Sequence, residues 1–263
     1  MVNNNFVISL QDKYTCDIGD FGKFILLNEL WKLSEGSIKL GVNWYYTNKA
    51  EKVSGDGRHL KYLNSQNPKN KNFEVCSPKL YFQLKKIVEA NKRYIAEIEK
   101  DLVLPSETIF YSTPVPFSSN SASQRGLDRE NWFLNSLQSL SSTEVIFLDP
   151  DNGLQTSNLK TSFTRAVKYA FFDEIRNYYH AEKSVIVYRH GDRTPKAKFN
   201  LKFKELAEAC DCKINVLKFN RFSVRYYIFL PQPKHRNLFK NLFTHLTAVP
   251  YSFLFEKYSI GSK

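Results

Sequence analysis

Cysteine is scarce, with four in 263 residues. The pair Cys210-x-Cys212 is closer than the usual zinc-ligand spacing, and no histidine lies near it at ligand distance. Reduced structural thiols are the expectation. A secretory signal is missing as well, because MVNNNFVISLQDK has no charged segment running into an apolar core. No apolar run approaches the ~20 residues that cross a bilayer. These absences predict a cytoplasmic protein without a membrane partner. The chain also lacks a phosphate-binding P-loop. Asp17-x-x-Asp20-Phe-Gly-Lys23 has the wrong spacing, and no Lys-Ser/Thr pair follows it. There is no internal repeat.

What is present points to a packed protein that meets an anion. Hydrophobic residues make up 42% and aromatics 15%, with 21 Phe and 15 Tyr, which favours a folded core over disorder. The length suits a single α/β domain over 1–263. Loop insertions are expected near 64–72 (NSQNPKNKN) and 112–125 (STPVPFSSNSASQR). The formal charge is +12 and the pI about 9.4. Nucleic acid, a nucleotide or an anionic membrane surface would satisfy that excess. Without a membrane-directed segment, nucleic acid or a nucleotide is the expected partner; a general bias toward Lys and Asn is the plainer explanation. Oligomeric state is not legible.

Apolar spacing divides the chain into alternating elements. Residues 21–33 (FGKFILLNELWKL) read as a helix capped by Asp20. Residues 38–47 (IKLGVNWYYT) read as a strand, 78–100 as one long amphipathic helix, 108–111 as a short strand and 128–140 as a helix. Residues 144–148 are almost continuously apolar, as in strands buried on both faces of a parallel sheet. A short strand over 169–172, a helix opening at Asp173, a buried strand over 184–188 and a helix over 198–210 follow. Residues 214–219 and 224–230 form a hairpin through Asn-Arg-Phe, and a helix over 235–247 comes after it. The alternation predicts an α/β fold. Its mostly parallel sheet is covered by helices on both faces and carries a C-terminal antiparallel hairpin.

In open α/β sheets ligands bind outside the carboxyl ends of the strands. VIFLDPDNGLQ (145–155) places Asp149, Pro150, Asp151 and Asn152 at that edge. Proline and glycine aim the polar groups. A carboxylate or amide there can accept hydrogen bonds from an exocyclic amine, and two carboxylates can hold a divalent cation. The plainer reading is an Asx-turn.

VIFLDPDNG resembles the strand-plus-[DNS]PP[YFW] motif of class I S-adenosylmethionine-dependent amino methyltransferases. Asp149 and Pro150 match its first two positions, while Asp151 and Asn152 replace the second proline and the aromatic residue. The layout of DIGDFGKFILLNEL followed by IKLGVNWYYT is similar to the start of bacterial large-subunit rRNA adenine methyltransferases, with Lys23 as the family's helix lysine. The resemblance implies a Rossmann-like methyltransferase-type sheet and S-adenosylmethionine as cofactor. It departs at the first strand's end, where no G-x-G occurs; Gly55-Asp56-Gly57 comes later.

Three further clusters bear chemistry. The Asp17–Lys23 segment, at a helix start, can take an anion. Gly55-Asp56-Gly57-Arg58-His59 sets an acid, a cation and a base in a small-residue loop. Tyr188-Arg189-His190-Gly191-Asp192-Arg193 follows the second buried strand, and its arginines suit phosphate. KFNRFSVRYYIF interleaves aromatic and basic residues that suit base stacking or plain strand alternation.

Two enzyme readings result. In methyl transfer to a base amine, the catalytic candidates are Asp149, Asp151, Asn152 and His59. Asp17, Asp20, Lys23 and Asp56 would then meet the cofactor, and Arg58, Arg189 and His190 the substrate. In a metal-dependent nuclease or phosphodiesterase, Asp149 and Asp151 bind Mg²⁺ or Mn²⁺, and His59 or His190 moves a proton. A non-catalytic nucleic-acid or nucleotide-binding module is the third reading.

Overall fold

The computed structural model describes residues 12, 14–47 and 59–261. Among these, the strands are β1 (Leu40–Asn43), β2 (Ile109–Tyr111), β3 (Val145–Leu148), β4 (Gly153–Leu154), β5 (Tyr169–Ala170), β6 (Ser184–His190), β7 (Asn215–Arg221), β8 (Ser223–Leu230) and β9 (Phe255–Tyr258). The α-helices are α1 (Ile18–Leu33), α2 (Lys71–Cys76), α3 (Pro78–Glu89), α4 (Ile95–Lys100), α5 (Ala122–Ser139), α6 (Phe172–His180), α7 (Lys196–Ala209) and α8 (Arg236–Leu246).

Seven strands form one sheet in the order β2-β1-β3-β6-β8-β7-β9. β2, β1, β3 and β6 run parallel, and β8 returns antiparallel between β6 and β7. β9 adds antiparallel to β7. The chain therefore has the α/β arrangement expected from its pattern, a sheet with parallel central strands, helices on both faces and antiparallel strands at its C-terminal end. Alternate residues of the central strands feed two cores. Val145, Phe147, Ile186, Tyr227 and Phe229 join the core beneath α1, α3 and α8. Ile146, Leu148, Val185, Val187 and Ile228 join that beneath α5, α6 and α7. That two-sided burial is why 144–148 is apolar without alternation.

Several boundaries differ from expectation, each for a local reason. Asp17, not Asp20, caps α1: its Oδ1 accepts from Gly19 N at 2.6 Å and Asp20 N at 3.1 Å. Asp20 thereby moves into the first turn. β1 ends at Asn43, whose Oδ1 accepts from Tyr45 N at 3.0 Å, and Tyr45 takes φ 47°. The helix expected over 78–100 breaks into α3 and α4. Asn91 adopts φ 55°, with Lys92 N bonded to Ile87 O and Asn91 N to Val88 O, a Schellman ending that asparagine tolerates. The loop expected over 64–72 holds a 3₁₀ turn at Pro68–Asn70 and opens α2, and that over 112–125 passes into α5 at Ala122. β5 pairs with β4 in a separate two-stranded ribbon. β9 was not foreseen: FEKY is half polar and gains its place by pairing along β7.

Asp173 and Glu174 lie in the first turn of α6, just after its start at Phe172, and Glu174 does more than favour that helix end. It accepts from Phe171 N at 2.9 Å and from Arg129 at 2.7 and 3.1 Å. This buried pair ties α5 to α6.

Candidate functional site

β3 delivers Asp149 to the carboxyl edge of the sheet, where Asp149 N donates to Asn43 O at 2.9 Å. α1 begins opposite. Gly19 lets it approach β8 closely, since a Cβ there would lie 2.5 Å from the Arg225 guanidinium. Between them lies Lys23, 8% exposed. Its Nζ donates to Asp149 Oδ2 at 2.7 Å and to Asp20 Oδ1 at 3.0 Å. It also sits 4.7 Å above the centre of the Tyr188 ring. Asp20 Oδ2 accepts from Cys16 N at 3.0 Å, and Asp17 Oδ2 faces Arg225 at 3.5 Å. Three acids and two cations thus share one desolvated cluster.

Burial sets the protonation of this cluster. It pushes Asp149 up from the ordinary carboxyl value, with Lys23 opposing. It carries Asp20 to about 6, again against Lys23, with the Asp17 and Asp149 charges adding to the rise. Burial pulls the Lys23 ammonium down, but Asp149 and Asp20 outweigh it and leave it well above the usual lysine value. Burial also lifts the Tyr188 phenol to about 12.

A pH dependence follows from Asp20. The folded state holds this proton more tightly than the unfolded chain, so protonated Asp20 favours folding below about 3.8, and that contribution is lost as pH rises to about 6. Asp20→Asn removes the effect. Carboxyls held low, such as Glu29 and Glu144, act oppositely but equally in both proteins. Urea unfolding from pH 4 to 7 should show the variant gaining on the wild type as pH rises, then levelling above about 6. A constant difference across that range refutes the assignment.

The cluster floors a cavity of about 380 Å³. Asp17, Asp20, Lys23, Asp149, Asp151 and Asn152 line it, as do His59 and His190. Asp151 lies 3.6 Å from Lys168, and Asn152 N donates to Lys168 O at 2.8 Å. His59 packs its ring on Phe222, with centroids 5.4 Å apart. His190 Nδ1 lies 3.4 Å from Tyr188 Oη. Arg189 faces a second cavity instead. Asp56 and Arg58 lie outside the described residues.

Sequence reasoning missed Arg225, Tyr188 as the face over Lys23, and the apolar wall of Phe24, Trp44, Ile95 and Ile98. Arg225 sits in the aromatic-basic strand already noted, but its partner Asp17 is 208 residues away. No local signal joins them.

No family model matches the chain, and no curated protein matches it. Solved structures do match. One is the crystal structure of a Legionella pneumophila str. Philadelphia 1 protein described by the family model DUF519. It is 11% identical, with a TM-score of 0.43, over 92% of this chain and 96% of that one. The topology described above stands independently of this overlap.

Proposed function

We propose that the protein modifies nucleic acid or a nucleotide by methyl transfer to a base amine. One observation carries the reading: Asp149, 6% exposed, stands at the carboxyl end of β3 in the wall of a cavity, directly before Pro150. An amine conjugated to a base is a weak nucleophile. A carboxylate and a carbonyl oxygen accepting its two hydrogens concentrate the lone pair on nitrogen. The methylated amine must shed a proton. Asp149, made more basic by burial with the Lys23 ammonium opposing that rise, suits the acceptor role.

S-adenosylmethionine, implied by the sequence resemblance, would supply an electrophilic methyl group when bound. The lining fits such a molecule. Phe24, Trp44, Ile95 and Ile98 offer an apolar face to a nucleoside. Asp17 and Asp20 can meet an ammonium, and Arg225 a carboxylate. The cavity volume lies in the range of small-ligand sites.

The hydrolase reading is weaker because both of its metal carboxylates already face lysines: Asp149 accepts from the Lys23 ammonium at 2.7 Å, and Asp151 lies 3.6 Å from that of Lys168. Among the described residues no group of three acidic, histidine or cysteine side chains is placed to hold one. The binding-module reading draws support from the bulky Trp44-Tyr45-Tyr46 at the end of β1, where the family has glycine.

Calorimetry with S-adenosylmethionine, Mg²⁺ and Mn²⁺, beside transfer of a labelled methyl group to RNA and DNA, tests the proposal. Saturable cofactor binding with label on the nucleic acid is expected. Metal binding with phosphodiester cleavage would replace the reading by the hydrolase, and nucleic-acid binding with neither by the module.

A further inference from the structure

A second cavity, of about 580 Å³, shares Asn152 and His190 as wall residues with the first. Its lining includes Arg189, Lys198 and Lys202. Arg189 is 6% exposed, and its Nη1 is buried with no hydrogen-bond partner among the described residues. The guanidinium lies 3.7 Å from the centre of the Phe199 ring, a contact that fixes its plane without neutralising it. Gly153 makes room for it: at φ 93°, a Cβ there would meet Arg189 at 2.7 Å.

Among the described residues no acid forms an ion pair with it. Asp192 acts on Arg189 only at a distance and accepts from Thr194 N at 2.8 Å. Glu205 is paired with Lys202 at 2.7 Å. A buried cation without a partner is costly, and such groups are kept where a ligand completes them. A second feature favours an anion at the same place. α7 starts after Pro195 with no side-chain cap, so its first N–H groups are open, and Thr194 and Lys198 bring that turn to the cavity wall.

We infer that this cavity takes a phosphate group of the substrate. The substrate is then a nucleotide unit, its base amine at Asp149 and its phosphate against Arg189 and the start of α7. The base placement rests on the function proposed above; the phosphate site rests on Arg189 and α7. A phosphomonoester of a free nucleotide and a phosphodiester of a chain share this chemistry.

The test uses fluorescence anisotropy with a labelled single-stranded oligonucleotide, and calorimetry with a nucleoside monophosphate and the corresponding nucleoside. The variants are Arg189→Met and the double variant Lys198→Ala/Lys202→Ala, which serves should Arg189→Met fail to fold. Each should weaken phosphate-bearing ligands at least tenfold and leave the nucleoside unchanged. The salt slope for the oligonucleotide should fall by about one per lost contact. A larger effect on the oligonucleotide assigns the diester, and a larger effect on the monophosphate assigns the free nucleotide; either supports the site. Wild-type affinity for both phosphate ligands overturns it. If Asp149→Ala leaves nucleoside binding unchanged while Arg189→Met weakens phosphate binding, the amine reading fails and the phosphate site stands.

Discussion

Replacing Asp149 by alanine should reduce the methyl transfer proposed above by about 10²–10⁴-fold, the range for a lost acid–base group, without lowering the melting temperature. The second half follows from the charge count. Among the described residues Asp17, Asp20 and Asp149 pair with Lys23 and Arg225, three acids against two cations. Both Asp20 and Asp149 are held above their ordinary values by burial, which means that their ionised forms are unfavourable where they stand. Removing one relieves that burden and leaves Lys23 paired with Asp20. The packing of β3 rests on Val145, Ile146, Phe147 and Leu148, each at most 1% exposed. Thermal melts beside the transfer assay decide the matter. A melting temperature several degrees lower would make Asp149 a structural turn residue.

Lys23→Met should have the opposite profile, a loss of about 3–5 kcal/mol, the magnitude for stripping one partner from a buried ion pair. For a chain of this size that is roughly 6–20 °C in melting temperature. Methionine keeps the volume and the contact with Tyr188 but abandons two buried carboxylates. They must then take up protons, so the loss should shrink as pH is lowered. A second change, Asp149→Asn, should restore part of the stability, because it removes one of the stranded charges. Urea unfolding of both single variants and the double variant measures that coupling. Strict additivity would show that Lys23 and Asp149 do not depend on one another.

Much of the architecture was readable because it rests on local pattern. Continuous apolar runs at 145–148 and 185–188 mark strands buried on both faces, and the periodicity of 21–33 marks a helix. Their alternation leaves few topologies. Local chemistry also misled. Asp20 has the right residue type for a cap, but Asp17 reaches the free N–H groups first. Asn91 carries the left-handed turn that ends α3, inside a stretch whose apolar spacing still reads as helix.

The site divides in the same way. DPDNG announced itself, since acids after an apolar strand have no packing reason to be there, and so did Asp17–Lys23 at a helix start. What they do together was decided only by the fold. Lys23 meets Asp149 across 126 residues, and Asp17 meets Arg225 across 208. Charge pairing acts through space over a few ångströms, so a sequence can supply the charged groups without saying which ones meet. The same holds for Arg189. Its residue type suggested phosphate, but only tertiary packing buries it on Phe199 with its Nη1 unbonded among the described residues.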